Sequence, residues 1–338
     1  MTDEPTTLKD VYGAKFALGA AIPSPDLTAA EKQVLLANFT NITPENCMKP
    51  DEIEPQEGQY AFGKADELVD FAQQNGLKVN GHCLVWHSQC PDWFFLDHGK
   101  PAGRDLVLKR MIDHITTEVT HFKGKVFSWD VVNEAIDDGP GYLRPSKWLK
   151  SIGDDYIAQA FAAAAKADPT AELYYNDYEI ERPAKRAKAL RLIRELKSHG
   201  VRIDGIGIQG HWHLDKIPYQ DIKDAILAFH REGLKVMITE LDLDVVPQYP
   251  GGAAVNENHP SDPYANGCPP EILQREARQF ARLFALFNKD AALINRITFW
   301  GLDDERSWLN NGHANYPLLW GRDLKAKPAL QAVLHAGG

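Results

Sequence analysis

A chain of 338 residues that is 44 % hydrophobic and 25 % charged has the composition of an ordinary globular protein with enough apolar material for a large core, which excludes a disordered chain. Its 47 acidic residues against 37 basic ones leave a net charge of -10, a balance that repels nucleic acid and anionic lipid and is indifferent to a neutral sugar polymer. No apolar run approaches the ~20 residues of a membrane span, and nothing before Lys15 has the order of a signal peptide.

Strand and helix signals alternate along the whole chain. Residues 16–21 read as a short strand and 27–38 as a helix, with apolar Val34, Leu35 and Leu36 and an N-cap at Thr28. A strand over 41–45 is followed by a helix over 64–75 that Gly76 stops, then a strand over 78–86 by a helix over 105–122. The stretch Val126-Phe-Ser-Trp-Asp-Val-Val-Asn-Glu134 is nearly unbroken in its apolar and β-branched character, so it predicts a strand buried on both faces. It ends in an amide and an acid, and a helix over 155–166 follows. Next come a strand over 172–177 with a helix over 183–198, and a strand over 203–209 with a helix over 218–230. Residues 235–242 repeat the apolar-then-acidic pattern, ending in Glu240 and Asp242, and lead through a long loop to a helix over 270–287. A strand over 296–300 and a short helix near Pro328 close the chain.

Eight strand-then-helix units predict one (β/α)8 barrel over residues 1–338, because parallel strands need crossovers and eight of them close a sheet. A doubly wound dinucleotide-binding sheet is disfavoured, since no Gly-x-Gly-x-x-Gly turn follows the first strand. The loop over 245–269, rich in Pro, Gly and Asn, lies on the catalytic side and is expected to form a wall of the binding groove. Cys47, Cys83, Cys90 and Cys268 fit no metal-ligand spacing and are expected as free thiols; a single bridge, if formed, would join Cys47 to Cys83.

In such a barrel the carboxyl ends of the strands hold the chemistry. Glu45, Asn46 and Lys49 follow the second strand; His82, Trp86 and His87 end the third; Asn133 and Glu134 end the fourth. Tyr178 follows the fifth, Gln209, His211 and His213 the sixth, Glu240 and Asp242 the seventh, and Trp300 and Trp308 the eighth. Amides, imidazoles and flat aromatic faces around two acids suit a sugar, whose hydroxyls need donors and acceptors and whose ring face needs an apolar platform. Cleaving a glycosidic bond takes one carboxyl to protonate the leaving oxygen and another to attack or to activate water. The i, i+2 spacing puts Glu240 and Asp242 on one face, and likewise Gln209, His211 and His213, so a His and an Asp beside Glu240 could keep it ionised as nucleophile. Glu134 is then left as acid/base, with Asn133 placed against the sugar hydroxyl nearest the attacked carbon. His211-Trp-His213 has the look of a metal pair, but no further ligands stand in the order a barrel metallohydrolase needs, so neither metal nor cofactor is expected.

Five motifs carry a resemblance: Trp129-Asp-Val-Val-Asn-Glu134, Ile238-Thr-Glu-Leu-Asp242, Gly81-His-Cys-Leu-Val-Trp-His87, Gly205-Ile-Gly-Ile-Gln-Gly-His211 and Trp300-Gly-Leu-Asp-Asp-Glu-Arg-Ser-Trp308. In order and across the chain, they resemble the endo-β-1,4-xylanases of glycoside hydrolase family 10. The resemblance implies retaining hydrolysis of xylan or xylo-oligosaccharides, with Glu134 as acid/base, Glu240 as nucleophile, and His211 with Asp242 as the nucleophile's support. It implies that Asn46, Lys49, His82, Trp86, Gln209, His211, Trp300 and Trp308 line the subsite of the attacked sugar and Glu45 the next one outward. Asn133 and Tyr178 carry over as contacts near the attacked carbon. The chain departs from the family pattern at Cys83 and Cys90, where Thr is usual, and at Pro50, where an aromatic is usual. A bare catalytic domain acting as a monomer is expected, and the size of xylan makes an exported enzyme the expectation unless imported fragments are the substrate. A hydrolase of another β-glycan and a non-catalytic sugar-binding barrel are the competing readings; the latter predicts the replacement of one acid, and neither is replaced.

Overall fold

The eight strand signals fold as β1 Ala17–Ile22, β2 Asn41–Pro44, β3 Lys78–Val85, β4 Ser128–Asn133, β5 Glu172–Asp177, β6 Gly205–Ile208, β7 Lys235–Asp244 and β8 Ile294–Phe299 in a computed structural model that describes residues 7–247 and 262–337. Neighbours in sequence are neighbours in the sheet, every one of these pairs is parallel, and β8 pairs with both β7 and β1. The ring is therefore closed and the barrel sheet has no edge. Each residue of β4 is buried, as its unbroken apolar pattern predicts for a strand between barrel interior and helical shell.

The helices fill the crossovers close to where the periodicity places them. Thr28 caps the helix Ala29–Asn38: its hydroxyl accepts from Glu31 N at 3.2 Å, and the Glu31 carboxylate accepts from Thr28 N at 2.6 Å. Shorter pieces have no counterpart in the sequence reading. Among them are the helices Leu8–Tyr12, Pro50–Ile53 and Lys147–Ile152 and a small hairpin, Leu96–Asp97 with Lys100–Pro101, each too brief to show a period. Pro50, one of the departures from the family pattern, is buried and occupies the first turn of its helix, where a missing N–H costs nothing.

One expected strand is broken. β6 ends at Ile208, Gly210 turns the chain at φ +87°, and His211–His213 resumes as a separate short strand in parallel register with Asp242–Asp244. Gln209, His211 and His213 are therefore not one alternating face. The loop expected to wall the groove falls largely on residues 248–261, outside the described residues; its flank Tyr264 packs with Leu214, Val245 and Val246. All four cysteines are free thiols. Among the described residues no helix is long and apolar enough to cross a membrane.

Candidate active site

Glu240 lies near the carboxyl end of β7, 4 % exposed. Its Oε2 is 3.0 Å from His211 Nε2, and its Oε1 accepts from Asn176 Nδ2 at 2.6 Å. His211 Nδ1 is in turn 2.9 Å from Asp242 Oδ1, whose other oxygen accepts from Trp308 Nε1 at 2.8 Å. An imidazole facing carboxylates through both nitrogens donates twice, which makes it imidazolium. Burial alone would lower the His211 pKa, but Asp242 and Glu240 outweigh it and push it up to about 10. Burial alone would raise the Glu240 pKa; the His211 hydrogen bond, the charges of His82 and His211 and the Asn176 amide bring it below the usual carboxylate value. The magnitudes allow this: burying a carboxylate costs several kcal/mol, and each charge-assisted hydrogen bond returns about 1.5–3 kcal/mol.

Asn176 is oriented from below. Thr239 Oγ1 donates to its Oδ1 at 2.5 Å, which turns the amide nitrogen toward Glu240 and toward Asn133 Oδ1, 3.0 Å away. The amide fits because β6 presents Gly207 beside it: a Cβ there would overlap both Asn176 Oδ1 and the Thr239 side chain.

Glu134 follows β4 at φ +56°, a left-handed conformation costly for a residue of this size. Four hydrogen bonds hold it and its turn. Glu134 N donates to Asn176 O at 2.9 Å, Arg144 Nε donates to Glu134 O at 2.9 Å, and Ala135 N and Ile136 N both donate to the Tyr175 hydroxyl at 3.0 Å. The Tyr175 hydroxyl itself donates to Asp177 at 2.5 Å. The Glu134 carboxylate accepts from Trp86 Nε1 at 2.8 Å and from Gln209 Nε2 at 3.0 Å, both neutral donors, with His87 Nδ1 at 3.9 Å. Each of the six carboxylate oxygens of Glu134, Glu240 and Asp242 thus has one hydrogen-bond partner. The two glutamates are joined through Gln209, Asn133 and Asn176, so they share one polar cluster.

The remaining predicted residues gather at the same mouth. Lys49 Nζ donates to Asn46 Oδ1 at 3.1 Å and to Gln89 Oε1 at 2.7 Å, and lies 5.0 Å from the centre of the Trp86 ring. Glu45 is buried, and burial outweighs Lys49 to push its pKa up to about 7. His82 is fixed by Asp130 Oδ2 at 2.9 Å, and Trp300, 5 % exposed, stands edge-on to it with centroids 5.1 Å apart. Trp308 is tilted against His211 with ring centroids 4.9 Å apart. His213 instead turns away to Val246 O at 2.9 Å. Tyr178 is tied to a charged cluster: its hydroxyl donates to Asp138 Oδ2 at 2.5 Å and accepts from Arg144 at 2.7 Å, with Lys185 Nζ 3.6 Å from the ring centre.

Asn176, Tyr175, Arg144 and Thr239 escaped the sequence reading. Asn176 had a signal: like Asn133 it is an amide at the end of an apolar strand, and the two are register partners. Arg144 had none, because it reaches the Glu134 carbonyl from an irregular loop.

The family model described as glycosyl hydrolase family 10 matches residues 7–336. The endo-1,4-beta-xylanase A of Xylanibacter ruminicola is 42 % identical over 97 % of this chain and 92 % of its own length. Xylanase XynB of Paenibacillus barcinonensis, solved with a conduramine derivative, superposes with a TM-score of 0.91 at 35 % identity over 98 % of this chain and 99 % of that one. A mutant solved with xylotriose superposes with a TM-score of 0.89 at 35 % identity, covering 98 % and 99 % of the two chains.

Proposed function

The chain belongs to glycosyl hydrolase family 10, and from that premise we propose that it is a retaining endo-β-1,4-xylanase acting on xylan or xylo-oligosaccharides. The observation that carries the division of labour is the difference between the two carboxylates. Glu240 sits against an imidazolium at 3.0 Å and its pKa lies below the usual carboxylate value, as a nucleophile requires, whereas the donors to Glu134 are a neutral indole and a neutral amide.

In the first step Glu240 attacks the anomeric carbon as the glycosidic C–O bond breaks, and the departing oxygen takes the proton held on Glu134. A covalent glycosyl ester on Glu240 results. In the second, Glu134, now a carboxylate, takes a proton from water, whose oxygen displaces Glu240 from the same carbon. Two inversions give net retention, for which carboxyl groups ~5–5.5 Å apart suffice. Asn133, which shares the Asn176 amide with Glu240, meets the hydroxyl next to the attacked carbon; His82, Lys49 and Gln209 supply donors to the bound sugar, with Trp86, Trp300 and Trp308 as apolar walls.

Proton NMR of the first product formed from xylan tests the mechanism: the β-anomer is expected, and an α-anomer at the earliest time points overturns it. Reducing-sugar release from xylan, mixed-linkage glucan and mannan, measured side by side, tests the substrate. Xylan left intact while another polymer is cut would end the xylanase reading.

A further inference from the structure

The opposite, N-terminal mouth of the barrel holds a cavity of about 430 Å³, within the size range of small-molecule sites. Its lining carries Lys9, Lys15, Lys78, Lys235 and Arg296 against a single carboxylate, Glu172, a local excess of four positive charges in a chain whose net charge is -10. Lys235 is committed to Glu172, and Lys9 and Lys15 donate to the carbonyls of Leu36 and Gly337, both at 2.6 Å.

Arg296 is the exception. It is 3 % exposed, its Nη1 reaches the Ser128 hydroxyl at 3.3 Å, and its Nε and Nη2 find no partner among the described residues. No carboxylate of the described residues lies within ion-pairing range of it; Asp130 and Glu172 act on it only at longer range. The rings of Phe127 and Tyr174 flank the guanidinium, 5.4 and 5.7 Å from it, and satisfy no donor. Lys78, at the start of β3, faces the Phe127 ring at 5.4 Å and pairs with no carboxylate of the described residues. An unpaired buried guanidinium is costly, and its planar fork is matched by a carboxylate or phosphate group that accepts two parallel N–H donors.

We infer that this cavity is a binding site for a small oxyanion, a phosphate or carboxylate group, held by Arg296 with Lys78 at its entrance. The site is remote from Glu134 and Glu240, so its occupancy stabilises the fold without entering the reaction.

Thermal unfolding of the full chain, at fixed pH and ionic strength, with inorganic phosphate, glucuronate or neutral xylose as added ligand, tests the proposal. Phosphate stabilises many proteins by exclusion at high concentration, so the readout is a saturable response at about millimolar levels. The expected result is a rise in Tm of roughly 2 °C for each tenfold increase in free anion concentration above its dissociation constant, and none with xylose. Phosphate responding and glucuronate not, or the reverse, identifies which oxyanion the cavity takes and supports the site either way. Arg296→Met should weaken binding at least about tenfold. Lys78→Gln, at the cavity entrance, should weaken it up to about fivefold and keeps the test valid if the first variant folds poorly. No saturable response to either anion overturns the proposal, as does a response that both variants leave unchanged.

Discussion

The two mouths of the barrel are built by the same strands and treat their charges in opposite ways. At the carboxyl ends three acids, the half-buried Glu134 and the buried Glu240 and Asp242, have a hydrogen-bond partner on every oxygen, and the His211 imidazolium is held from both sides. At the amino ends cations outnumber acids, and Arg296 keeps two donors without a partner among the described residues. A fully partnered cluster is rigid and pre-aimed, which suits charge development at a reacting carbon. A cluster with spare donors can gain a ligand and change little else. The first mouth should therefore respond to substitution through rate, and the second through binding and stability.

The largest effect is expected for Glu240→Ala, at least about 10⁴-fold in kcat on xylan, with azide giving no rescue that retains configuration. Retained product would break the assignment. For Glu134→Ala we expect about 10²–10⁴-fold on xylan, whereas an aryl xyloside with a good leaving group still glycosylates the enzyme and stalls at deglycosylation. Equal loss of both steps in burst kinetics would remove the division between the acids. Asn176→Ala should cost about 10²–10³-fold, as removal of a pre-aimed donor does, and Gly207→Ala should act in the same direction because its Cβ displaces the same amide. Unchanged kinetics in both would mean that Asn176 does not position Glu240.

The imidazolium gives a prediction in pH. His211 is raised from its ordinary 6.5 to about 10, so its contribution to stability is complete below 6.5 and is lost as pH rises through about 10. Tm measured across that window should fall in the wild type and lose this component in His211→Asn. The same variant removes the main hydrogen bond lowering Glu240, so the acid limb of kcat/KM should move to higher pH. The smallest effect is expected at the other mouth. Lys78→Gln should leave kcat/KM on xylan within about twofold, as surface charge changes far from a site do; a larger change would show the two mouths to be coupled.

The residues differ in how visible they were. Glu134, Glu240, His82, Gln209 and His211 lie on or beside strand ends, where apolar runs followed by polar residues announce a barrel mouth, and their motifs supplied the rest. Tyr178 was legible as a candidate sugar contact but not as part of the Asp138, Arg144 and Lys185 cluster that restrains it, since Asp138 and Arg144 come from the loop after β4 and Lys185 from the helix Pro183–Ser198. His213 looked equivalent to His211 by alternation and does share its short strand, but it turns to the Val246 carbonyl, and the left-handed turn at Gly210 separates both from Gln209.

By itself the sequence determined the number of strand and helix units, the Thr28 cap and the acids that end apolar strands, because periodicity, capping and burial are set by residues a few positions apart. The tertiary structure alone decided which amide orients Glu240, which tyrosine and arginine hold the Glu134 turn, and that Arg296 faces a cationic cavity. Those facts depend on the register between strands and on the closure of the ring, which bring together side chains remote in the chain, and no local pattern encodes them.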